Sequence, residues 1–253
     1  MTRKVLPVLF GFSFLIAALL SSVAAVVFDH GFYIRLYDKL NLAQTVSVSD
    51  EDLQNSIFMM TDYVEGKRDN LDGKVFWKNE VRDTFNAKEK KHMVDVRQLW
   101  QNARLVMIVS WFVCLISAGW LFWKFGSNGT RCLGILMTGI RQAGACLLVV
   151  LIFFAFWYFI DFTGLWTWFH TLFFAGNMDW LLNPATDFMI VICPEAMFST
   201  MIAKIAIKLI LAVLGFYGGM AYLKSRLQEQ RYLQRIVPQS HLHPQTDSES
   251  VGR

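Results

Sequence analysis

The sequence predicts an all-α membrane protein: four transmembrane helices, a small extracellular α/β cap and an interfacial, aromatic-rich helical segment. Three observations carry that expectation. Apolar residues make up 55% of the 253 residues and charged residues only 17%, with a mean hydropathy of +0.37; a globular domain runs near ~45–50% and ~25%. Basic residues crowd between Arg35 and Arg104 and leave long stretches elsewhere almost bare. Four apolar runs are long enough to cross a hydrocarbon core of roughly 30 Å, which takes about 20 helical residues. This composition excludes disorder, a coiled coil and a compact soluble enzyme. A net charge of +4, without an aromatic-interleaved basic stripe, gives no reason to expect a nucleic-acid partner.

The first span covers residues 5–28 of the segment 1–28, behind Arg3 and Lys4, and its apolar run is 24 residues long. A cleavable signal has an apolar region of about 7–15 residues, so this run reads as a retained helix. The second span, residues 105–123, shares segment 104–142 with a cytoplasmic loop; the third, 143–160, lies in segment 143–162; the fourth is 201–223. Lys204 and Lys208 intrude into the fourth span one turn apart, to snorkel to the near interface or face the bundle interior. Short basic flanks orient the chain. Arg3 and Lys4, then Lys124, Arg131 and Arg141, then Lys224, Arg226, Arg231 and Arg235 fall on one side, while residues 163–200 hold no Lys or Arg. The positive-inside rule puts both termini in the cytoplasm and segments 29–103 and 163–200 outside. The tail within 224–253 turns polar from Pro238 and is expected to be disordered and cytoplasmic.

The cap, residues 29–103, carries helix punctuation. Ser49 with Asp52 forms a capping signal, Leu53, Ile57, Met60 and Val64 share one face, and Gly66 ends the pattern. A turn at Asp72-Gly73 precedes Val75-Phe76-Trp77, which suits a short strand or hairpin. Asn86 with Glu89 opens a second helix that can run directly into span two. The outer segment 163–200 is dense in aromatics from Phe162 to Leu182, and is expected to lie in the interface as helices, a further short one starting at Asn183-Pro184.

Chemistry points to histidine. His241 and His243 sit in the tail, whereas His30, His92 and His170 fall outside, each near a predicted membrane boundary. His92 has Asp95 three positions on, on the same helical face, a carboxylate that orients the ring or forms a solvated pair. His170 has Trp166 at i−4 and Phe173 and Phe174 at i+3 and i+4, an aromatic wall that depresses its pKa and keeps it neutral, as a general base requires. A bland reading competes: an aromatic belt with surface histidines. Three outer histidines with no ligand spacing give a zinc site little support. Cys114, Cys132, Cys146 and Cys193 form no CxxC pair and read as packing residues. A Cys193–His170 thiol–imidazole pair is a further candidate.

At these residues a resemblance emerges. The stretches from Phe85 to Arg97 and from Trp168 to Phe174, then Asp179-Trp180, Asn183 to Asp187 and Pro194 to Phe198, resemble the bacterial lipoprotein intramolecular transacylases, as do Phe32 to Tyr37 and Ser49 to Leu53. The likeness spans roughly residues 5–225; Cys193 departs from it, where an apolar residue is expected. It implies a cell-membrane enzyme with an outward-facing cap, no cofactor and no metal, and lipoprotein and membrane lipid as partners. The implied reaction moves the sn-2 acyl chain of a diacylglyceryl lipoprotein to the amine of its own amino-terminal cysteine. It implies His92 and His170 as the catalytic pair. Asp95, Arg97, Asp187, Tyr37, Trp166, Phe173, Phe174 and Trp180 are expected to position substrate or orient that pair. The first assignment makes His170 the base and His92, protonated beside Asp95, the acid. A non-enzymatic lipid or lipoprotein chaperone or receptor is the runner-up, and a metal-dependent lipid hydrolase is third.

Overall fold

The computed structural model describes residues 2–126 and 128–236. Four of its helices are long and apolar enough to cross a membrane: α1 (Thr2–Val27), α5 (Ala87–Phe125), α6 (Gly129–Ile160) and α9 (Glu195–Ile236). Between the first two lie α2 (His30–Leu40), α3 (Leu42–Val46), α4 (Asp50–Glu65) and an antiparallel hairpin of β1 (Lys74–Trp77) and β2 (Glu80–Asp83). Between the last two lie α7 (Phe162–Phe173) and α8 (Phe188–Ile192). The protein is a multi-pass membrane protein with a small helical cap carrying one two-stranded sheet.

The punctuation acts where the residues place it. The Ser49 side chain accepts from the Asp52 amide at 3.0 Å to open α4, and Gly66 closes that helix at φ 96°. The hairpin turns through Lys78 and Asn79, both at positive φ, the geometry that matches the twist of two short strands. Asn86 and Glu89 form a reciprocal capping box at the start of α5. From there α5 continues without a break from the cap through its apolar stretch, so cap and bundle share one rigid rod.

α1 is the hub, packed against α5, α6 and α9. It crosses α6 at glycines: a Cβ on Gly139 would collide with the Pro7 carbonyl, and one on Gly11 with the Gly139 carbonyl. Two clusters divide the apolar core. One joins Phe10, Phe14, Leu133, Leu136 and Ile140 in the bundle; the other joins Phe32, Tyr33, Leu53, Ile57, Phe85 and Met93 in the cap with Phe188 and Ile192 of α8. The cap therefore buries its face against the outer segment as well as within itself, as a unit too small for an independent core must.

The structure corrects several boundaries. α6 begins at Gly129, so most of the stretch expected to be a cytoplasmic loop is helix. α9 outruns span four at both ends. The first helix of the outer segment ends at Phe173, an irregular stretch follows, and Asn183-Pro184 opens a turn rather than a helix. The amides of Thr186 and Asp187 bond back to the Asn183 carbonyl at 3.0 and 2.8 Å, and the helix starts only at Phe188. Local side-chain bonding by Asn and Asp competes here with the proline signal. Lys204 reaches upward, its Nζ lying 4.8 Å over the Phe32 ring of α2. The tail expectation, Pro238 onward, lies outside the described residues.

Candidate active site

One face of α5 builds the site. Lys88, Lys91, His92 and Asp95 recur at i, i+3, i+4 and i+7, so they share that face. It is clamped to the irregular stretch between α7 and α8. Lys88 donates to the Leu181 carbonyl, Lys91 pairs with Asp179 at 2.7 Å, and Asp95 accepts from Asn177 at 2.8 Å. At the start of the helix, Asn86 donates to Asp187 at 2.9 Å. Fully buried Glu89 uses both oxygens, accepting from the Asn86 amide at 2.7 Å and the Met189 amide at 2.6 Å. Burial pushes its carboxyl above the usual range against the pull of those bonds. His92 lies in the middle of this seam.

The opposing ring comes from α7. The Asp161 side chain caps that helix by accepting from the Gly164 amide at 2.8 Å. His170 is buried among the rings of Trp166, Phe169, Phe174 and Trp180, with centroids 4.6 to 5.5 Å away. Its ring centroid is 6.0 Å from that of His92, and Phe174 stands edge-on to His92 at 5.1 Å. Both histidines open onto a cavity of about 240 Å³, otherwise lined mostly by apolar residues including Ile57, Met60, Met93, Leu99, Met197 and Phe198, with Tyr33 and Thr61 also in its wall.

Electrostatics assigns each ring a state. His170 Nδ1 lies 2.8 Å from the Trp166 carbonyl, which can only accept; Nδ1 therefore carries the proton, and Nε2 keeps its lone pair. Burial lowers the pKa of His170, partly opposed by that bond. Burial and the neighbouring His170 push His92 down to about 4, outweighing Asp95 and Asp179. His92 Nδ1 is buried without a hydrogen-bond partner. The expectation of a protonated His92 held by Asp95 is thus corrected: Asp95 is engaged by Asn177, and the buried ring is neutral.

Other expected site residues divide. Trp166, Phe174 and Trp180 line the cavity. Phe173 does not; it is 48% exposed at the last residue of α7, one turn beyond Phe169, which shares its face, meets its ring at 4.8 Å and lines the cavity instead. Arg97 turns to the cap, donating to the Arg68 carbonyl at 3.2 Å and covering the Tyr63 ring. Tyr37 donates to the Ile192 carbonyl at 2.6 Å, tying α2 to α8. Asp187 is raised by burial, but hydrogen bonds from the Asn183 amide, Asn86 and Thr186 bring it net below the usual carboxylate range; it latches its turn to α5. These three touch neither histidine ring among the described contacts. His30 does not line the cavity; it bonds Asp62 at 3.1 Å, stacks on Phe58 and lies 3.3 Å from the hydroxyl of Thr61, which does line it. No group of three or more candidate ligands stands ready for a metal among the described residues.

A family model described as lipoprotein intramolecular transacylase Lit matches residues 8–198. The chain belongs to the Lit family. Its fold is similar to that of a membrane-integral lipoprotein intramolecular transacylase Lit from Bacillus cereus, with a TM-score of 0.69 at 18% identity over 92% of this chain and 98% of that one. A variant of the Bacillus cereus protein with a histidine replaced by arginine gives 0.67 at 17%, over 92% and 95%. A comparison with curated proteins finds no match. For this Lit-family chain the low identity makes the structural likeness a statement about fold.

The residues that sequence reasoning missed are those that assemble the seam. Glu89 read only as a helix cap, yet its second oxygen holds α8; Lys91, Asn177 and Phe169 gave no signal beyond solvated charge or an aromatic run. Cys193 lines the cavity, but burial raises its thiol to about 12, so it holds no thiolate near neutrality. Cys193→Ser is expected to retain most acyl transfer; abolished turnover in a folded variant would make the thiol a participant.

Proposed function

We propose that this protein moves the sn-2 acyl chain of a diacylglyceryl lipoprotein from glycerol oxygen to the α-amine of the same lipoprotein's amino-terminal cysteine. The observation that carries the reading is the pair of buried, neutral histidines opening together onto an apolar cavity. His170 Nε2, its lone pair set by the Trp166 carbonyl, takes the proton from the attacking amine. The new C–N bond places negative charge on the carbonyl oxygen. His92, a neutral ring with an unsatisfied buried nitrogen, supplies an N–H to that oxyanion. The acyl carbon then releases the glyceryl oxygen, which takes the proton back from His170. An ester becomes an amide, which runs downhill without an activated donor or ATP. The cyclic intermediate passes through amine nitrogen, two cysteine carbons, sulfur, two glyceryl carbons, ester oxygen and acyl carbon. Closing so large a ring is slow without positioning, and a dry aromatic cavity supplies positioning while excluding hydrolytic water.

The same reading puts both termini in the cytoplasm and the cap outside, since the Lys- and Arg-free stretch 163–200 and the cap then meet at the outer surface. Tandem mass spectrometry of a reporter lipopeptide incubated with the purified protein tests the function. An acyl group relocated to the amine with total mass unchanged is expected; an intact diacylglyceryl group, or released fatty acid, would overturn it.

The pH profile follows from the two ring states. Both histidines are held neutral at and above their ordinary value of 6.5, so the acid limb of kcat/KM belongs to the substrate amine. That limb is expected at about 7.7–8.0, with roughly a tenfold fall per unit below it. A limb near 6.5 that disappears in His170→Ala would contradict this. Stability has its own window. The unfolded chain protonates His92 below 6.5 while the folded chain resists to about 4, so the contribution is full above 6.5 and is lost on falling through 4.

A further inference from the structure

Five of the chain's eleven methionines line the cavity that holds the two histidines. They come from four helices: Met60 from α4, Met93 from α5, Met189 from α8, and Met197 and Met201 from α9. The first four are buried and Met201 is half-buried. Among the described residues only the Met197 sulfur accepts a hydrogen bond, from Tyr37 at 3.5 Å. Packing holds the others, and an unbranched side chain with a soft thioether changes shape at little cost. The size of the cavity decides what these side chains must do. An apolar cavity of roughly 150 Å³ takes up benzene. On that scale about 240 Å³ seats a chain of about ten carbons, shorter than a palmitoyl group. In the transacylase reaction the carbonyl of the migrating acyl group stands at the two rings. Its chain therefore starts inside this cavity and outruns it.

We infer that these methionines form a deformable socket for the migrating sn-2 chain, repacking to seat chains longer than the resting cavity holds. The inference rests on the transacylase reading. It makes the methionines determinants of chain length, separate from the two rings that carry the chemistry. Tyr37 tethers Met197, which leaves Met60, Met93, Met189 and Met201 to move. A wall of β-branched residues of similar volume would hold one shape, because each keeps a single preferred χ1 rotamer in a helix. Each methylene the socket seats is kept from water, so a wall that cannot yield loses affinity only for the part of the chain it leaves out.

The double variant Met60→Ile/Met201→Ile stiffens the wall on α4 and α9, the two helices of the socket farthest in sequence from either ring, at nearly constant volume. Met178→Ile, 62% exposed and outside the lining, is its control. Two diacylglyceryl-cysteinyl peptides share a palmitoyl group at sn-1 and carry either palmitoyl or octanoyl at sn-2. On the sn-2 palmitoyl peptide the double variant is expected to lower kcat/KM about tenfold, the effect of leaving roughly two methylenes unseated. On the sn-2 octanoyl peptide it should match the wild type, and Met178→Ile should change neither. An unchanged palmitoyl rate, or parallel losses on both peptides, would overturn the socket. A second readout needs no turnover. In protein labelled with carbon-13 at the methionine methyls, N-acetylated and hence unreactive forms of both peptides are titrated by NMR. The Met60 and Met201 signals should move further with the sn-2 palmitoyl form than with the octanoyl form, while Met178 stays in place. Equal shifts with the two forms, or none, would overturn the socket too. If the wild-type protein converts neither free-amine peptide, the transacylase reading fails and the methyl shifts alone decide the socket.

Discussion

His170→Ala is expected to lower single-turnover acyl transfer by about 10²–10⁴-fold, the range for loss of a positioned acid–base group. His170 is the ring whose Nδ1 is committed to the Trp166 carbonyl, leaving Nε2 to face the cavity as an acceptor. His92→Ala is expected to cost about 10²–10³-fold, the scale for one oxyanion donor. Both rings are buried, so truncation also leaves a hole, and a plain loss of rate has two explanations. Added imidazole separates them. It should enter the space vacated in His170→Ala and restore part of the rate as a base, with a dependence on the fraction of imidazole that is neutral; a damaged fold would show no such dependence. His30→Ala is the control, since His30 serves the cap through Asp62 and Phe58. Full activity in both His92→Ala and His170→Ala would end the enzymatic reading and favour a scaffold that clasps lipoproteins without changing them.

Glu89→Ala is expected to give the second large effect, on assembly of the site rather than on its chemistry. Glu89 is fully buried and is the shared acceptor for the Asn86 and Met189 amides. Its removal leaves two buried donors unsatisfied, roughly 1–3 kcal/mol each. The consequence should reach the cavity, because α8 supplies Met189, Ile190 and the approach to Cys193 along its wall. Thermal unfolding in detergent should shift down, and KM for the long-chain lipopeptide should rise with it. Asp187→Ala opens the neighbouring latch to Asn86 and should show a milder version of both changes. An unaltered unfolding temperature in Glu89→Ala would refute the role of that carboxylate in holding the outer segment.

Much of the site was legible one element at a time. The Asn86–Glu89 capping box, the Gly66 stop, the four apolar runs and the aromatic setting of His170 each depend on residues within a turn or two of one another. The errors came where a local pattern allowed two partners. Asp95 sits three positions after His92, yet Asn177 takes its carboxylate. Phe169 and Phe173 lie four positions apart on one face of α7, at −1 and +3 from His170, and only the docking of α7 decides which of them covers the imidazole. Asn183-Pro184 carries a helix-start signal that side-chain bonding to Asp187 overrides.

The sequence by itself determined that this chain is built to cross a bilayer, how many of its helices are long and apolar enough to do so, and where α4 and α5 are capped. Those features follow from hydropathy and from hydrogen bonds closed within a few residues, which any surrounding fold must respect. Only the tertiary structure decided that His92 and His170 face each other and that His92 is neutral. The physical reason is distance along the chain. Ring proximity, burial of a charge and the space between two helices are set by contacts between residues far apart in sequence, and a pKa is the sum of everything packed around a group.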